Sequence, residues 1–467
     1  MEQISGFPKN LAYNLKRLQG AIIKQKILIN ADKSTVNPND RVLFNFPMGR
    51  MIDSRSIVLS GKCTSGTTNY FPRGGLNSLI ENLQITANSK IIQSTQAYNY
   101  IWNILADSSG YFSQEQAPKR IYENFDPSIA HTNVDGSAAP ALTTKTRGTT
   151  GTETYYFCVN NWLGFLSSSA STWNTNDLGQ VQLTLTFADS VVQWKGATGT
   201  AAAEVATSAY KIEELTLSMD TVTFTNSLYY DLVKTQLEGA GLNIAYNDYL
   251  VATGNKFTKS STATLTHTAQ FSTNSLDLVM ATFRNNNYNT PTVLLLGDAV
   301  ITAGAVVGSS SNFPKIMADP QANASTYGPY NNSIYMQRCG GGIKSSSWYI
   351  NSQPFTVNST PIQIFNNTLQ ALDYANIDIA SGGLHQGALT TGYYNKNYFL
   401  DCLSLENISG DGNNWVSGLG GNGGIISVQY NATFSAASSE ADVIPYIIGR
   451  VSKILNIKQG RNLDIME

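Results

Sequence analysis

Residues 79–105 read LIENLQITANSKIIQSTQAYNYIWNIL. An apolar strand, Leu79–Ile85, leads through a polar turn at Asn88-Ser89 and a second short strand into QSTQAYNYIWNIL, residues 93–105. There Tyr98, Ile101, Trp102 and Leu105 recur at helical spacing. Residues 348–372, WYINSQPFTVNSTPIQIFNNTLQAL, repeat the order: a strand, a polar turn, then a helix whose face is Ile362, Phe365, Leu369 and Leu372. Identities between the two stretches are few, but the succession is shared. A supersecondary unit met twice implies that a larger module has been duplicated.

Around each copy the chain reads as antiparallel β-structure. Val181, Leu183, Leu185 and Phe187 alternate with Gln and Thr, as do Leu265, His267, Ala269 and Phe271, and Ile426, Val428, Tyr430, Ala432 and Phe434. Such a period of two puts one face on a core and the other in a polar setting. Leu215, Leu217 and Met219 alternate and then change phase at Val222 and Phe224, which predicts a bulge or turn near Asp220. Between the two β-rich blocks, Asn226-Ser227 offers a helix N-cap. Tyr229, Leu232, Val233 and Leu237 form one face, and Gly239 and Gly241 close the segment. The layout is therefore a basic helical arm at 1–24, a first sandwich at 25–226, a connecting helix at 227–241, a second sandwich at 242–439 and a basic helix with tail at 440–467.

Composition agrees. Only 13% of the 467 residues are charged, against about 25% in an average domain, while 42% are hydrophobic and 10% aromatic. Asn, Ser, Thr, Gly and Tyr take the place of charge, which suits strands and turns. A net charge of −2 gives no global field toward nucleic acid or membrane. Charge gathers at the ends instead. Leu11, Leu15, Leu18 and Ile22 make a helical stripe after Pro8, flanked by Lys9, Lys16, Arg17, Lys24 and Lys26. Ile444, Ile447, Ile448, Val451 and Leu455 make another, with Pro445 in its first turn and Arg450, Lys453, Lys458 and Arg461 beside it. The N-terminal stripe fits a helix docked on its own domain or an arm that meets an anionic surface or a neighbouring subunit.

No signal peptide is expected, because the apolar stretch 18–23 is short and ends at Lys24. The apolar run 292–307 contains Asp298 and several glycines, so it does not read as a membrane span. Cys63, Cys158, Cys339 and Cys402 lack metal-ligand spacing; two fall in each half, which leaves pairing within a half open, and their strand-like settings read as buried free thiols. The six Asn-X-Ser/Thr sequons are what chance gives in so Asn-rich a chain.

A search for chemistry finds no site. There is no HExxH and no Gly-x-Ser-x-Gly. His267 lies on the apolar side of its strand and reads as a core or interface residue, and His131 and His385 sit in loop-like sequence. GLGGNGG at 418–424 precedes a strand rather than a helix N-terminus, so it reads as a mobile loop and not a phosphate cradle. GDGNN at 410–414 has one carboxylate where a calcium loop needs several, and Asp231 and Glu238 read as solvated helix residues. No catalytic residue, metal ligand or cofactor is expected, and the chain does not read as an enzyme.

FPMGRMIDSRSIVLSG (46–61), followed by the stretch GGLNSLIENLQITANSKIIQSTQAYNYIWNIL (74–105), resembles the first jelly roll of double jelly-roll major capsid proteins. The second copy at 348–372 resembles the matching part of the second roll. This lineage includes lipid-containing tailless phages, adenovirus hexons and virophages. The resemblance implies an all-β chain of two tandem eight-stranded jelly rolls, with short helices at the termini and between the rolls. It implies a virion protein, made in the host cell, whose homotrimer is a pseudo-hexameric tile of an icosahedral shell. The blocks leave no room for hexon-like towers, so the loops 126–154 and 197–208 are expected as short outward decoration. The implied partners are further copies of the chain, minor capsid or penton proteins, and genome or an internal membrane, with no small-molecule substrate. Lys9, Lys16, Arg17, Lys24, Lys26, Arg450, Lys453, Lys458 and Arg461 are the basic residues expected at the inner surface. Because jelly rolls also host lectins, the alternative is a carbohydrate-binding or carbohydrate-cleaving sandwich protein.

Overall fold

A computed structural model describes residues 22–65, 75–109, 153–169, 172–189, 191–193, 205–207, 210–224, 228–239, 241–259, 264–286, 288, 295–296, 299–302, 305–307, 336, 338–375, 399–406, 418–420, 424–435 and 442–466. The first roll comprises β1 (Ile22–Asn30), β2 (Arg41–Asn45), β3 (Met51–Asp53), β4 (Val58–Ser65), β5 (Ile80–Ala87), β6 (Lys90–Thr95), helix α1 (Tyr98–Ser108), β7 (Glu153–Val159), β8 (Thr172–Asn174), β9 (Val181–Phe187) and β10 (Tyr210–Phe224). Helix α2 (Leu228–Glu238) follows. The second roll comprises β11 (Leu242–Thr253), β12 (Thr264–Ser272), β13 (Leu276–Asn285), β14 (Ile343–Ile350), β15 (Gln353–Ser359), α3 (Pro361–Tyr374), β16 (Asp401–Ser404), β17 (Ile425–Phe434), β18 (Asp442–Lys458) and β19 (Asn462–Met466).

Each roll is two antiparallel sheets, and the strand order is the same in both. In the first, β1 pairs with β10, β10 with β4 and β4 with β7, while the facing sheet runs β2-β9-β5-β6. In the second, β11 pairs with β18, β18 with β13 and β13 with β16, while the facing sheet runs β12-β17-β14-β15. Four long interleaved strands in each sheet with this long-range pairing make a jelly roll. Shorter strands widen the larger sheet to seven strands in the first roll, β3 and β8 among them, and to six in the second, β19 among them. The chain is thus all-β and doubled, with α2 between the halves.

The repeated sequence unit is the most regular part of the duplication. Ile80 and Ile343, Asn88 and Asn351, and Tyr98 and Pro361 are each 263 residues apart, so strand, turn, strand and helix recur without insertion. Both turns are Asn-Ser with positive φ at both residues: 46° and 65° in the first, 49° and 67° in the second. That is the type I′ geometry whose twist suits a two-residue hairpin. The helices differ in cover. All of α1 is buried, whereas α3 buries Ile364, Thr368, Ala371 and Leu372 and exposes Ile362. The buried face of α3 is therefore rotated from the expected one, because Ile364 and Thr368 take the places of Ile101 and Leu105 in α1.

Three further expectations are corrected. The C-terminal segment is not a helix: β18 is a seventeen-residue strand central to its sheet, flanked by β11 and β13. Both of its faces are buried, so alternation disappears from the sequence, and a run of Ile and Val then satisfies helical spacing by accident. Pro445 lies just past the point where β11 ends at Thr253, so its missing N–H costs no bond to that strand, while its carbonyl still accepts from Gly254 N. The N-terminal arm ends earlier than residue 24, since β1 begins at Ile22; the stripe from Leu11 lies outside the described residues. The bulge in β10 falls at Glu214 (φ 56°), where its register with β4 shifts, and the strand continues through Asp220. Of the expected decorations, loop 126–154 lies almost wholly outside the described residues, and Val205–Thr207 pairs with Val191–Gln193 as a small hairpin.

Candidate functional site

The residues singled out for chemistry prove structural or fall outside the described residues. His267 is half-buried on the inward side of β12, with Nε2 3.2 Å from Ala252 O. Burial lowers its pKa, favouring the neutral ring. His131, His385, the 410–414 loop and the Asp231 side chain lie outside the described residues, and Glu238 is exposed. The 418–424 loop is pinned where it is described, a correction to its reading as mobile. Leu419 exchanges backbone hydrogen bonds with Leu276, and a Cβ at Gly418 would come 2.6 Å from Leu276 O. Among the described residues, no group of His, Cys, Asp and Glu could hold a metal ion. All four cysteines are free, with Cys158 half-buried and the others buried.

The most perturbed carboxyl among the described residues is Asp401, sealed between the two sheets of the second sandwich. It accepts from Ser346 Oγ at 2.5 Å, Tyr430 OH at 2.9 Å and Trp348 Nε1 at 3.2 Å. Burial raises its pKa to about 6 against the effect of these donors. Its surroundings are core, so it ties strands β14, β16 and β17 together rather than meeting a substrate.

The basic residues divide sharply. Lys453 is buried, with Nζ 3.2 Å from Asp248 Oδ2. Arg450 is nearly buried; its Nη1 donates to Ala375 O at 2.6 Å, and its guanidinium lies within 4 Å of Asp277 and Glu406. Both are therefore held inside the fold, correcting their assignment to a charged surface. The signal missed was the run of distant carboxylates, which only sheet register brings opposite them. Arg461 is exposed but clasps the first roll, with Nε donating to Asn176 O at 2.9 Å. Lys24 pairs with Asp220 at 2.9 Å, which raises its pKa. Lys26 and Lys458 are exposed, and Lys9, Lys16 and Arg17 lie outside the described residues.

What the residues do build is a joint between the rolls, which sequence reasoning did not find. β6 and α1 of the first roll lie against β11, β13 and β18 of the second. Tyr246 OH donates to Ile92 O at 2.8 Å, Thr95 Oγ1 to Asp248 Oδ1 at 3.3 Å, and Lys90 Nζ to Leu463 O at 2.9 Å. Arg284 stacks on Tyr288 (3.5 Å) and lies over Tyr100 (4.7 Å). Arg338 Nη1 donates to Asp107 Oδ2 at 2.9 Å, both side chains being buried. One apolar core runs through this joint, from Val42 and Leu185 in the first roll to Met280, Ile448 and Leu455 in the second. The second roll keeps a separate core between its own sheets, around Phe283, Trp348 and Tyr430.

With two like-ordered sandwiches so joined, the comparison with solved structures is decisive for the fold. No family model matches the chain, and no curated protein matches it in sequence. The crystal structure of PBCV-1 VP54, fitted into a reconstruction of the virophage Sputnik, superposes with TM-score 0.59 over 96% of this chain and 97% of that one, at 12% identity. This is a double jelly roll. The Faustovirus major capsid protein matches with TM-score 0.52 over 94% and 91%, at 11% identity, and the mavirus major capsid protein with 0.50 over 94% and 89%, at 12% identity. The double jelly roll here thus corresponds to those capsid proteins along nearly its whole length.

Proposed function

We propose that this chain is a major capsid protein of an icosahedral virus. On this reading it resides in the virion and works by self-association: three chains form a pseudo-hexameric capsomer, and capsomers tile the shell. The observation that carries the reading is the duplicated, identically ordered roll, matched end to end by capsid proteins. Six similar sandwiches from three chains approximate a hexagon, and closed rings bury like flanks between copies. The sparse charge supports this, since neutral Asn, Thr and Tyr flanks cost less to desolvate than ionised ones. The four tryptophans among the described residues, Trp102, Trp162, Trp173 and Trp348, are all buried, so they supply no stacking platform for a carbohydrate.

The start of β1 lies beside the end of β10, and the start of β11 beside the end of β18. The segments entering β1 and leaving β18 thus emerge at corresponding poles of their sandwiches. We assign Lys9, Lys16, Arg17, Lys26 and Lys458 to contacts with anionic material, genome or lipid, on the shell's inner side. Minor capsid proteins would meet the same lattice. Static light scattering on the purified chain tests the central claim. A species of three times 50.6 kDa, or larger shells, is expected, and a monomer at all concentrations overturns it.

A further inference from the structure

The pole of the molecule at which β1 begins is built by both rolls. Three turns meet there: residues 47–50 between β2 and β3, the Asn88-Ser89 hairpin, and residues 459–461 between β18 and β19. The helical turn Thr175–Leu178 ties them together. Arg50 N donates to Thr175 Oγ1 at 3.0 Å, Arg461 Nε to Asn176 O at 2.9 Å, and Asn88 Nδ2 to Arg461 O at 3.1 Å. The three turns therefore form one fixed platform.

The charge of this platform is left open. Arg50, Lys458 and Arg461 are exposed, and among the described residues no carboxylate lies within 4.0 Å of them. Lys90 beside them is shared between Leu463 O and Asp464, 3.6 Å away. At the opposite pole, by contrast, Lys33, Lys62, Lys211 and Lys256 each lie within 4.0 Å of an aspartate or glutamate. The acids of the platform are Asp464, half-buried Asp177 and, on α2, Glu238, which Lys234 offsets. On the flank above it Asp53 and Asp220 share Lys24, with Lys26 and Arg55 exposed nearby. Cations remain in excess.

Apolar side chains stand among these cations. Met48 is 49% exposed in a turn where a Cβ at Gly49 (φ +68°) would meet nothing within 4 Å, so the turn projects outward. Ile23 is 57% exposed, in the row of β1 that turns inward farther on, where Ile29 packs against the core. Lys24 and Met51 both pair with Val222 of β10, so Ile23 and residues 48–50 end neighbouring parts of one sheet. The sequence entering β1 has the same make-up, with Leu11, Leu15 and Leu18 beside Lys9, Lys16 and Arg17. Nucleic acid would use the cations and leave the aliphatic tips wet. A bilayer uses both, because cations meet headgroup phosphates while apolar tips enter the acyl boundary. We propose that this pole seats on an anionic lipid bilayer, with Arg50, Lys458 and Arg461 at headgroup phosphates and Met48 and Ile23 in the interface. This rests on the capsomer reading, in which the same pole faces inward, and it names lipid rather than genome for the ordered surface.

Vesicle flotation of the full-length chain tests this. The chain should float with vesicles of phosphatidylcholine and phosphatidylglycerol, stay behind with phosphatidylcholine alone, and be released by added salt. Arg50→Gln combined with Lys458→Gln alters two exposed side chains, so circular dichroism and scattering mass should match the parent. Its partitioning onto the anionic vesicles should fall about fivefold for each cation removed. Met48→Gln should weaken vesicle binding and leave binding to a DNA duplex unchanged. A parent chain that stays off the anionic vesicles, or a folded double variant that binds them as the parent does, overturns the inference. Parental vesicle binding by Met48→Gln also overturns it, and a loss of DNA binding in the double variant would then give the cations to nucleic acid. The capsomer reading fails separately, on a parent chain that scatters as a monomer at all concentrations.

Discussion

Asp107, in the last turn of α1, and Arg338, which leads into β14, are 231 residues apart in sequence and form a 2.9 Å ion pair shut away from water. It locks the two rolls at a point where neither partner could be tolerated alone.

Arg338→Met should therefore be severe. It leaves the Asp107 carboxylate buried without its counter-charge, at a cost of about 3–5 kcal/mol. Asp107→Leu combined with Arg338→Met should regain most of that loss, since an apolar pair of similar volume avoids the desolvation penalty. Urea unfolding of the single and double variants checks both, the expected order being parent and double variant close together with the single variant far below.

Asp401 makes stability depend on pH in an unusual direction. Its folded pKa of about 6 lies above the ordinary carboxylate value, so the folded state holds the proton more tightly than the unfolded chain. Its contribution is full below about pH 4 and is lost as pH rises through 6. The difference amounts to about 3 kcal/mol at ~1.4 kcal/mol per pH unit. Asp401→Asn removes the titration, so the gap between the two unfolding profiles should change across pH 4–6.5 and stay constant above pH 7.

Thiol accessibility should rank the cysteines. Cys63, Cys339 and Cys402 are buried, and burial raises the pKa values of Cys63 and Cys402, so the native protein keeps them as unreactive thiols. Cys158 should be the first of the four to label with a maleimide. All four should label in denaturant, whereas fewer than four would point to a disulfide.

Gly164 is strained for any other residue. Its φ is +77°, and a Cβ would meet the Gln93 amide at 2.0 Å, where Gln93 Oε1 accepts from Phe165 N at 2.8 Å. Gly164→Ala should cost about 1–3 kcal/mol and lower the melting temperature by several degrees.

Removing residues 1–21 tests the role of the basic arm. β1 starts at Ile22 and pairs along its length with β10, so this truncation leaves the first roll whole. Trimers should form as in the parent chain, while shell closure or inner contacts fail. Normal particles in electron micrographs would refute the role given to Lys9, Lys16 and Arg17.

Much of the fold was legible because one face of most strands meets polar surroundings. Val181–Phe187 and Ile425–Phe434 keep a clean alternation for that reason. The hairpin-and-helix unit was legible because its turns demand the same Asn-Ser pair. β18 was misread where that physics fails: covered on both faces, it needs no polar positions. Arg450 and Lys453 looked like solvated helix residues because Asp277 and Asp248, which hold them, stand far away in sequence. The joint between rolls was illegible for the same reason, being made of contacts such as Tyr246 with Ile92 that no local pattern records.

The shared core also sets an order of events at the ribosome. Tyr100 and Asp107 emerge early, yet the side chains that shelter them, Thr282, Arg284, Arg338 and Tyr446, are translated much later, the last of them close to the C-terminus. A nascent first roll must wait with its helix wet on one side. Synthesis of nearly the entire polypeptide thus comes before its leading half can settle, which favours co-translational shielding by a chaperone.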